Sequence, residues 1–535
     1  MIAASRRAGF GSMLDRLPAS LGSHAGALAL AGSFTVAVLV VLVGPSITIL
    51  LGLGVVVALV AAFMPGVLLA IFMLSGIYKA AIQPSSPVDI TLVLAGLCAL
   101  QVVPVLRRRE PLRISWIGLA LMTAVGVLYL LGVLYAPNQE TALRFAATYW
   151  VFVLFAEVPA ALRVGSEPRY LRQFLWSLFA LGIPMVIFGL PLVSDSQRLT
   201  EFGASTIEVS RAALLVPLVG VTFVLHERGL LLRALTLLLI PAAIVVAIAS
   251  GSRGPLFALA IIAALGLARV LVRPRSVDWR AVSVIAALVV ASVVVLSVVG
   301  GSLPDVATSR FALFGDFVTR VLNGDLDSTM ADTSSGRRVA LFGLAFSMFQ
   351  DRPILGFGTG GFATLMPWYL GPPYESWPHN AVLQFAAEFG IIGVALFGSL
   401  VVLAFVRWLP PGSLGSAVRI AFLFFLLNAM VSDDIYGSRP TWGLLALVLL
   451  IDVPQRLADV RAPMRVPAPT PALSASTGGG IAAALTTAGT GRIRGVGMGH
   501  PRLATADRER RYRGHVPPST AHSRPPVPGG RPGSP

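Results

Sequence analysis

The sequence predicts an all-α polytopic membrane protein with about 12–14 transmembrane helices and one long extracytoplasmic loop. Three observations predict it. Hydrophobic residues make up 56% of the 535 and charged residues 12%, where a soluble chain carries roughly a quarter charged. Apolar runs close to the ~20 residues needed to cross a bilayer recur along the chain. Arginines gather in alternate connections between those runs, as the positive-inside rule requires.

The apolar runs fall at 27–43, 47–63, 65–82, 88–106, 114–135, 141–162, 171–193, 209–226, 230–250, 254–272, 280–300, 380–406, 416–432 and 438–454. Only Met64 and Pro65 divide the second run from the third, so these two can also be read as one broken element. With the N-terminus inside, the even-numbered connections carry Arg107, Arg108, Arg109 and Arg113, then Arg163, Arg169 and Arg172. The next two carry Arg228 and Arg233, then Arg269, Arg273, Arg275 and Arg280; the last carries Arg407 and Arg419. Three opposite connections are poor in arginine, 136–140 with none, 194–207 with only Arg198 and 432–440 with only Arg439, so the alternation holds almost throughout. Both termini are therefore expected in the cytoplasm, in a cytoplasmic (inner or plasma) membrane.

Three regions follow: a cytoplasmic segment 1–26, a transmembrane domain 27–455 and a tail 456–535. The tail is rich in Pro, Gly, Ser, Thr and Arg and is expected to be a disordered, basic, cytoplasmic segment. The first apolar run leads at once into others and reads as a retained helix, not a cleaved signal. The net charge is +16, but its arginines sit between apolar runs and in the tail, which argues for orientation and against nucleic-acid binding. Lys79 is the one lysine, and Cys98, the one cysteine, excludes an intramolecular disulfide and a thiolate metal site.

The loop 301–379 breaks the rhythm of spans. Within it 338–349 is amphipathic at helical spacing, with Leu341, Leu344, Ala345 and Met348 on one side, and is expected to lie at the outer membrane interface.

Polar residues inside a bilayer cost roughly 2.5–3.5 kcal/mol per charge at a helix centre, so those present are informative. Four places converge on the outer side. Arg253 follows Ser250-Gly251-Ser252 at the outer end of the tenth run, and Arg337 and Arg338 follow Ser335-Gly336 at the start of the loop helix. The stretch 351–362 brings Gly356, Gly358, Gly360 and Gly361 into a tight turn. No Gly-Lys-Ser/Thr ends it, so it is not read as a phosphate loop. His379-Asn380 opens the twelfth run, and Glu388 lies nine residues on, about 13 Å deeper, where an arginine from a neighbouring helix is its expected partner. Arg211, near the outer start of the eighth run, joins this set; Glu157 is intramembrane without an assigned role.

Guanidinium forks match phosphate oxygens, and an imidazole can take a hydroxyl proton near neutral pH. The constellation therefore suits a lipid diphosphate whose leaving group is stabilised by the protein's own cations, with no metal or other cofactor. A different class, a transporter of a small anion or of a lipid-linked glycan, also fits many helices and outer arginines. Such carriers commonly show internal repeats, and none is legible here.

The order Ser252-Arg253-Gly254, the Arg-led loop helix running into Pro353 and Gly356-Phe357-Gly358, then His379-Asn380 and Glu388-Phe389-Gly390, resembles the O-antigen ligase and O-antigen polymerase superfamily over about residues 200–400. The resemblance implies a GT-C-like integral-membrane glycosyltransferase of cell-surface polysaccharide assembly. Such an enzyme moves a glycan from undecaprenyl diphosphate to a sugar or other hydroxyl acceptor on the outer face of the cytoplasmic membrane. By the same resemblance Arg253 holds the diphosphate, with Arg211 as a further candidate, and His379 activates the acceptor or contacts the donor. The family's loop-helix arginine stands fifteen residues before its Pro, which is Arg338 here, and directly after Gly, which is Arg337; Arg338 is favoured and Arg337 stays open. Phe342 stands where the family commonly has Trp. Glu388, Asn380, Gly356 and Gly358 are read as supporting residues, and ligase and polymerase share all these motifs.

Overall fold

The computed structural model describes residues 63–82, 89–107, 114–191, 205–226, 230–272, 334–370, 377–407 and 413–450. The expected elements at 1–26, 27–43, 280–300, 301–333 and 456–535, and all but the last residue of 47–63, lie outside the described residues.

Among the described residues the regular structure is helical, with no strand. In chain order the helices are α1 (Pro65–Ile82), α2 (Ile90–Leu100), α3 (Val102–Leu106), α4 (Trp116–Val133), α5 (Gln139–Thr148), α6 (Val158–Gly165), α7 (Pro168–Gly189), α8 (Thr206–His226), α9 (Leu230–Ala249) and α10 (Arg253–Val272). Then come α11 (Ser334–Asp351), α12 (Gly361–Leu370), α13 (Ala381–Val406), α14 (Ser413–Ala429) and α15 (Arg439–Leu450). A π-helical segment, Tyr149–Glu157, joins α5 to α6 without a break. Every apolar run within the described residues coincides with one of these helices or with such a continuous pair.

The ends are set by local chemistry. Asp89, Ser115, Asn138 and Asn380 accept hydrogen bonds from Thr91 N, Gly118 N, Thr141 N and Leu383 N, satisfying amides that the first turn leaves open. Pro184, Pro217 and Pro241 lie inside α7, α8 and α9, where neighbouring helices shield the gap each leaves.

Among the described residues four stretches are long and apolar enough to cross a membrane: α4, the continuous α5–α6 unit, α7 and α13. This is a polytopic membrane protein. Helix α7 is the inner one, 83% of its apolar window being buried, whereas α13 buries 33% and turns Ile391, Ile392, Val402 and Val406 outward. With no hydrophobic effect between helices in lipid, close approach through small residues does the packing. Gly66 of α1 lies against the Tyr170 carbonyl and Phe174 amide of α7, and Gly182 of α7 against the Ala212 carbonyl of α8.

A Gly66→Val variant must push two backbones apart, and overpacking of this kind costs about 1–3 kcal/mol. Gly96 of α2 has open space beside it, so Gly96→Val is the matched control. Thermal unfolding in detergent should fall clearly for the first and barely for the second; equal shifts would contradict this packing.

Candidate functional site

The site is built around the start of α13. Asn380 caps that helix through Leu383 N at 3.0 Å, which leaves His379 just outside its first turn. His379 has φ 55°, the left-handed region that a non-glycine side chain seldom adopts and that persists only where the surroundings enforce it. Its Nδ1 is buried with no hydrogen-bond partner among the described residues. Burial lowers its pKa from 6.5 to about 4, helped by the charges of Arg338, Arg211 and Arg337 and opposed by Asp433. Four charged groups from three separate parts of the chain thus lie within electrostatic reach of one imidazole.

Arg211, on the second turn of α8, is nearly enclosed. Its Nη1 is 3.2 Å from Asp433 Oδ2, its Nη2 donates to Ser432 O and Oγ at 3.2 and 3.1 Å, and its Nε donates to Asn428 Oδ1 at 3.4 Å. Arg253 opens α10 and is half-buried, directly before Gly254, whose missing side chain makes room for Ser432 Oγ and Val431. Gly254, the residue after Arg253, and Arg211 therefore meet the same short turn, residues 430–438, between α14 and α15.

Arg337 and Arg338 lie in the first turns of α11. The apolar stripe predicted for this helix exists, but it faces protein and not lipid: Leu341, Leu344, Ala345 and Met348 are buried with Phe362 and Met366 of α12 and Ala387 of α13. That packing holds the arginine end of α11 near the head of α13.

The glycine-rich stretch has a structural task. Helix α13 breaks at Gly390 (φ 60°, ψ −151°), which exposes backbone groups in the middle of the bundle. The stretch supplies their partners: Phe357 N donates to Ala387 O at 3.0 Å, Gly358 N to Glu388 O at 2.8 Å, and Ile391 N donates to Pro353 O at 2.8 Å. Gly356 (φ 64°) lies against the backbone at Glu388 and Phe389, and Gly358 (φ 83°) against Gly132 and Ala136, too close for any side chain.

The expected arginine partner of Glu388 is corrected. No cation forms an ion pair with Glu388 among the described residues; its Oε2 accepts a hydrogen bond from the Tyr436 hydroxyl and lies 3.3 Å from the Gly360 amide. The phenol and the amide before α12 meet Oε2 without importing a charge, while Oε1 is buried with no hydrogen-bond partner among the described residues. Glu157 lies apart from this site, beside Gly443 and Met73.

Sequence reasoning missed the turn itself. Asp433 holds Arg211 and also accepts from Ser438 Oγ; Asp434 accepts from the amides of Tyr436 and Gly437. Burial, and then the neighbouring charge of Asp433, raise the pKa of Asp434 above the usual carboxylate range. A signal was present: these are the only two acids between Glu388 and Asp452, adjacent, in a connection whose one other charge is Arg439.

Residues 234–398 match the family model described as O-Antigen ligase. The chain thus carries an O-antigen ligase domain over these residues, and that segment supports the O-antigen ligase/polymerase superfamily. No curated protein and no solved structure matches. The ligase domain runs from within α9 to within α13, so it contains Arg253, Arg337, Arg338, His379, Asn380 and Glu388. Arg211 and the turn 430–438 lie outside the matched segment and are joined to it by folding alone.

The Arg211–Asp433 pair of this ligase-domain protein offers a direct check. Removing one member of a largely buried pair typically costs about 3–5 kcal/mol, while replacing both by apolar groups is often neutral. Asp433→Ala should lower the melting temperature markedly, and the double variant Arg211→Met with Asp433→Leu should recover most of it. A double variant as unstable as the single one would argue against the pair.

Proposed function

We propose that this membrane glycosyltransferase of polysaccharide assembly takes its glycan from undecaprenyl diphosphate and passes it to a hydroxyl acceptor on the outer face of the cytoplasmic membrane. The observation that carries the reading is the imidazole of His379 held uncharged among Arg338, Arg337 and Arg211. A neutral imidazole can accept a proton; guanidiniums beside it suit a diphosphate.

In this reading the acceptor oxygen attacks the anomeric carbon as the bond from that carbon to the diphosphate oxygen breaks. The departing electron pair stays on the diphosphate, whose charge is met by Arg253 and Arg338, with Arg337 beside them. The hydroxyl proton passes to His379. Direct displacement of this kind inverts the anomeric centre. Arg211 acts through Asp433: tied to it, the guanidinium keeps its place while the pair adds little net charge. The alternation of arginines along the chain supports cytoplasmic termini and an extracytoplasmic site.

With purified protein and a lipid-linked oligosaccharide, Arg253→Ala and His379→Ala should each abolish transfer at normal expression. Activity retained in both would remove this mechanism.

The pH profile tests the imidazole separately. A base whose pKa is lowered to about 4 stays deprotonated until the pH falls that far, so the acid limb of kcat/KM should lie well below 6.5. Bound diphosphate offsets the arginines that hold the value down, so the limb of kcat should sit at higher pH than that of kcat/KM. The reverse order would exclude His379 as the proton acceptor.

A further inference from the structure

Tyr436 grips the segment that carries His379 from both sides. Its hydroxyl donates to Glu388 Oε2, nine residues after the histidine, and accepts from Gly360 N at 2.9 Å. Its ring stacks on Phe145 with centroids 4.4 Å apart and an interplanar angle of 12°, and lies 5.8 Å from the ring of Trp377, two residues before the histidine. Trp377 in turn meets Phe145 edge-on at 5.2 Å. The preceding amide, Ile435 N, donates to Gln384 Oε1 at 3.2 Å, about one turn below Asn380. Asp433, three residues earlier in the same turn, is the group that opposes the arginines at the imidazole.

We propose that Tyr436 is a positioning residue for His379, fixing the left-handed backbone there by tying the broken part of α13 to the glycine loop through its hydroxyl and clamping Trp377 with its ring. The proposal rests on the reading of His379 as the group that receives the acceptor's proton. Tyr436 touches neither donor nor acceptor in this account. Its effect is geometric: the φ of 55° at His379 relaxes unless the chain is held on both sides.

The test uses the full chain in lipid nanodiscs, with Tyr436→Phe, Tyr436→Ala and Glu388→Gln. Kinetics on a lipid-linked oligosaccharide are paired with the rate of modification of His379 by diethyl pyrocarbonate, read by peptide mass. Tyr436→Phe keeps the stacked ring and loses the hydroxyl. It should lower kcat by roughly tenfold to a hundredfold, the scale of an ångström-sized misplacement, with the donor KM within about twofold, and change the labelling rate of His379. Glu388→Gln still offers an oxygen to the tyrosine and should lower kcat less than Tyr436→Phe does. If Tyr436→Ala does not fold, Tyr436→Phe decides alone. Unchanged kcat and unchanged labelling in Tyr436→Phe would overturn the proposal, as would a rise in KM at constant kcat. A wild-type protein that moves no glycan from the lipid-linked donor would remove the glycosyl-transfer reading instead, and the labelling rate would still decide the role of Tyr436.

Discussion

Helix α13 gives up its own hydrogen bonds at Gly390, and the loop before α12 takes them over. In a bilayer interior an unpaired amide or carbonyl costs several kcal/mol, so this exchange leaves little freedom. The loop must enter with its glycines in the left-handed region, and α13 must stop its regular course at that depth. Everything above the break inherits the result: the direction of the short upper part of α13, the place of His379 at its head, and the distance to α11, which packs its apolar stripe on the same part of the helix.

Charge is handled by the same logic. The interior accommodates Arg211 and Glu388 because each finds its partner in the turn between α14 and α15, Asp433 for one and Tyr436 for the other. The turn thereby links α8 to α13, and through Gly254 it also meets the start of α10. The O-antigen ligase domain ends within α13, yet its site leans on α8 and on the last two helices. The matched segment is thus a part of a site that the whole bundle completes.

Much of the candidate site was legible in the residues. Arg211, Arg338, Arg337 and His379 lie within electrostatic reach of one another, and Gly254, next to Arg253, reaches the turn that holds Arg211. Their coming together could be anticipated because arginine and histidine are rare in apolar runs and were seen at the same end of each. Two readings went differently, and one residue was missed. The stripe on α11 met protein because α12 and α13 offered it an apolar surface at closer range than lipid. Glu388 met a phenol because Tyr436 reaches it from 48 residues away. Asp433 passed unnoticed because an acid in an outer connection looks solvated until its arginine is seen.

By itself the sequence determined that this is a helical membrane protein, where its helices begin and end, and which side its arginines favour. Those properties depend on hydropathy summed over some twenty neighbours and on caps reaching three residues along the chain. Tertiary structure alone decided which helix ends share a turn, what the glycine stretch is for, and how the buried charges are satisfied. The contacts responsible join distant parts of the chain, Arg211 and Ser432 being 221 residues apart, and no local pattern encodes a partner at that separation.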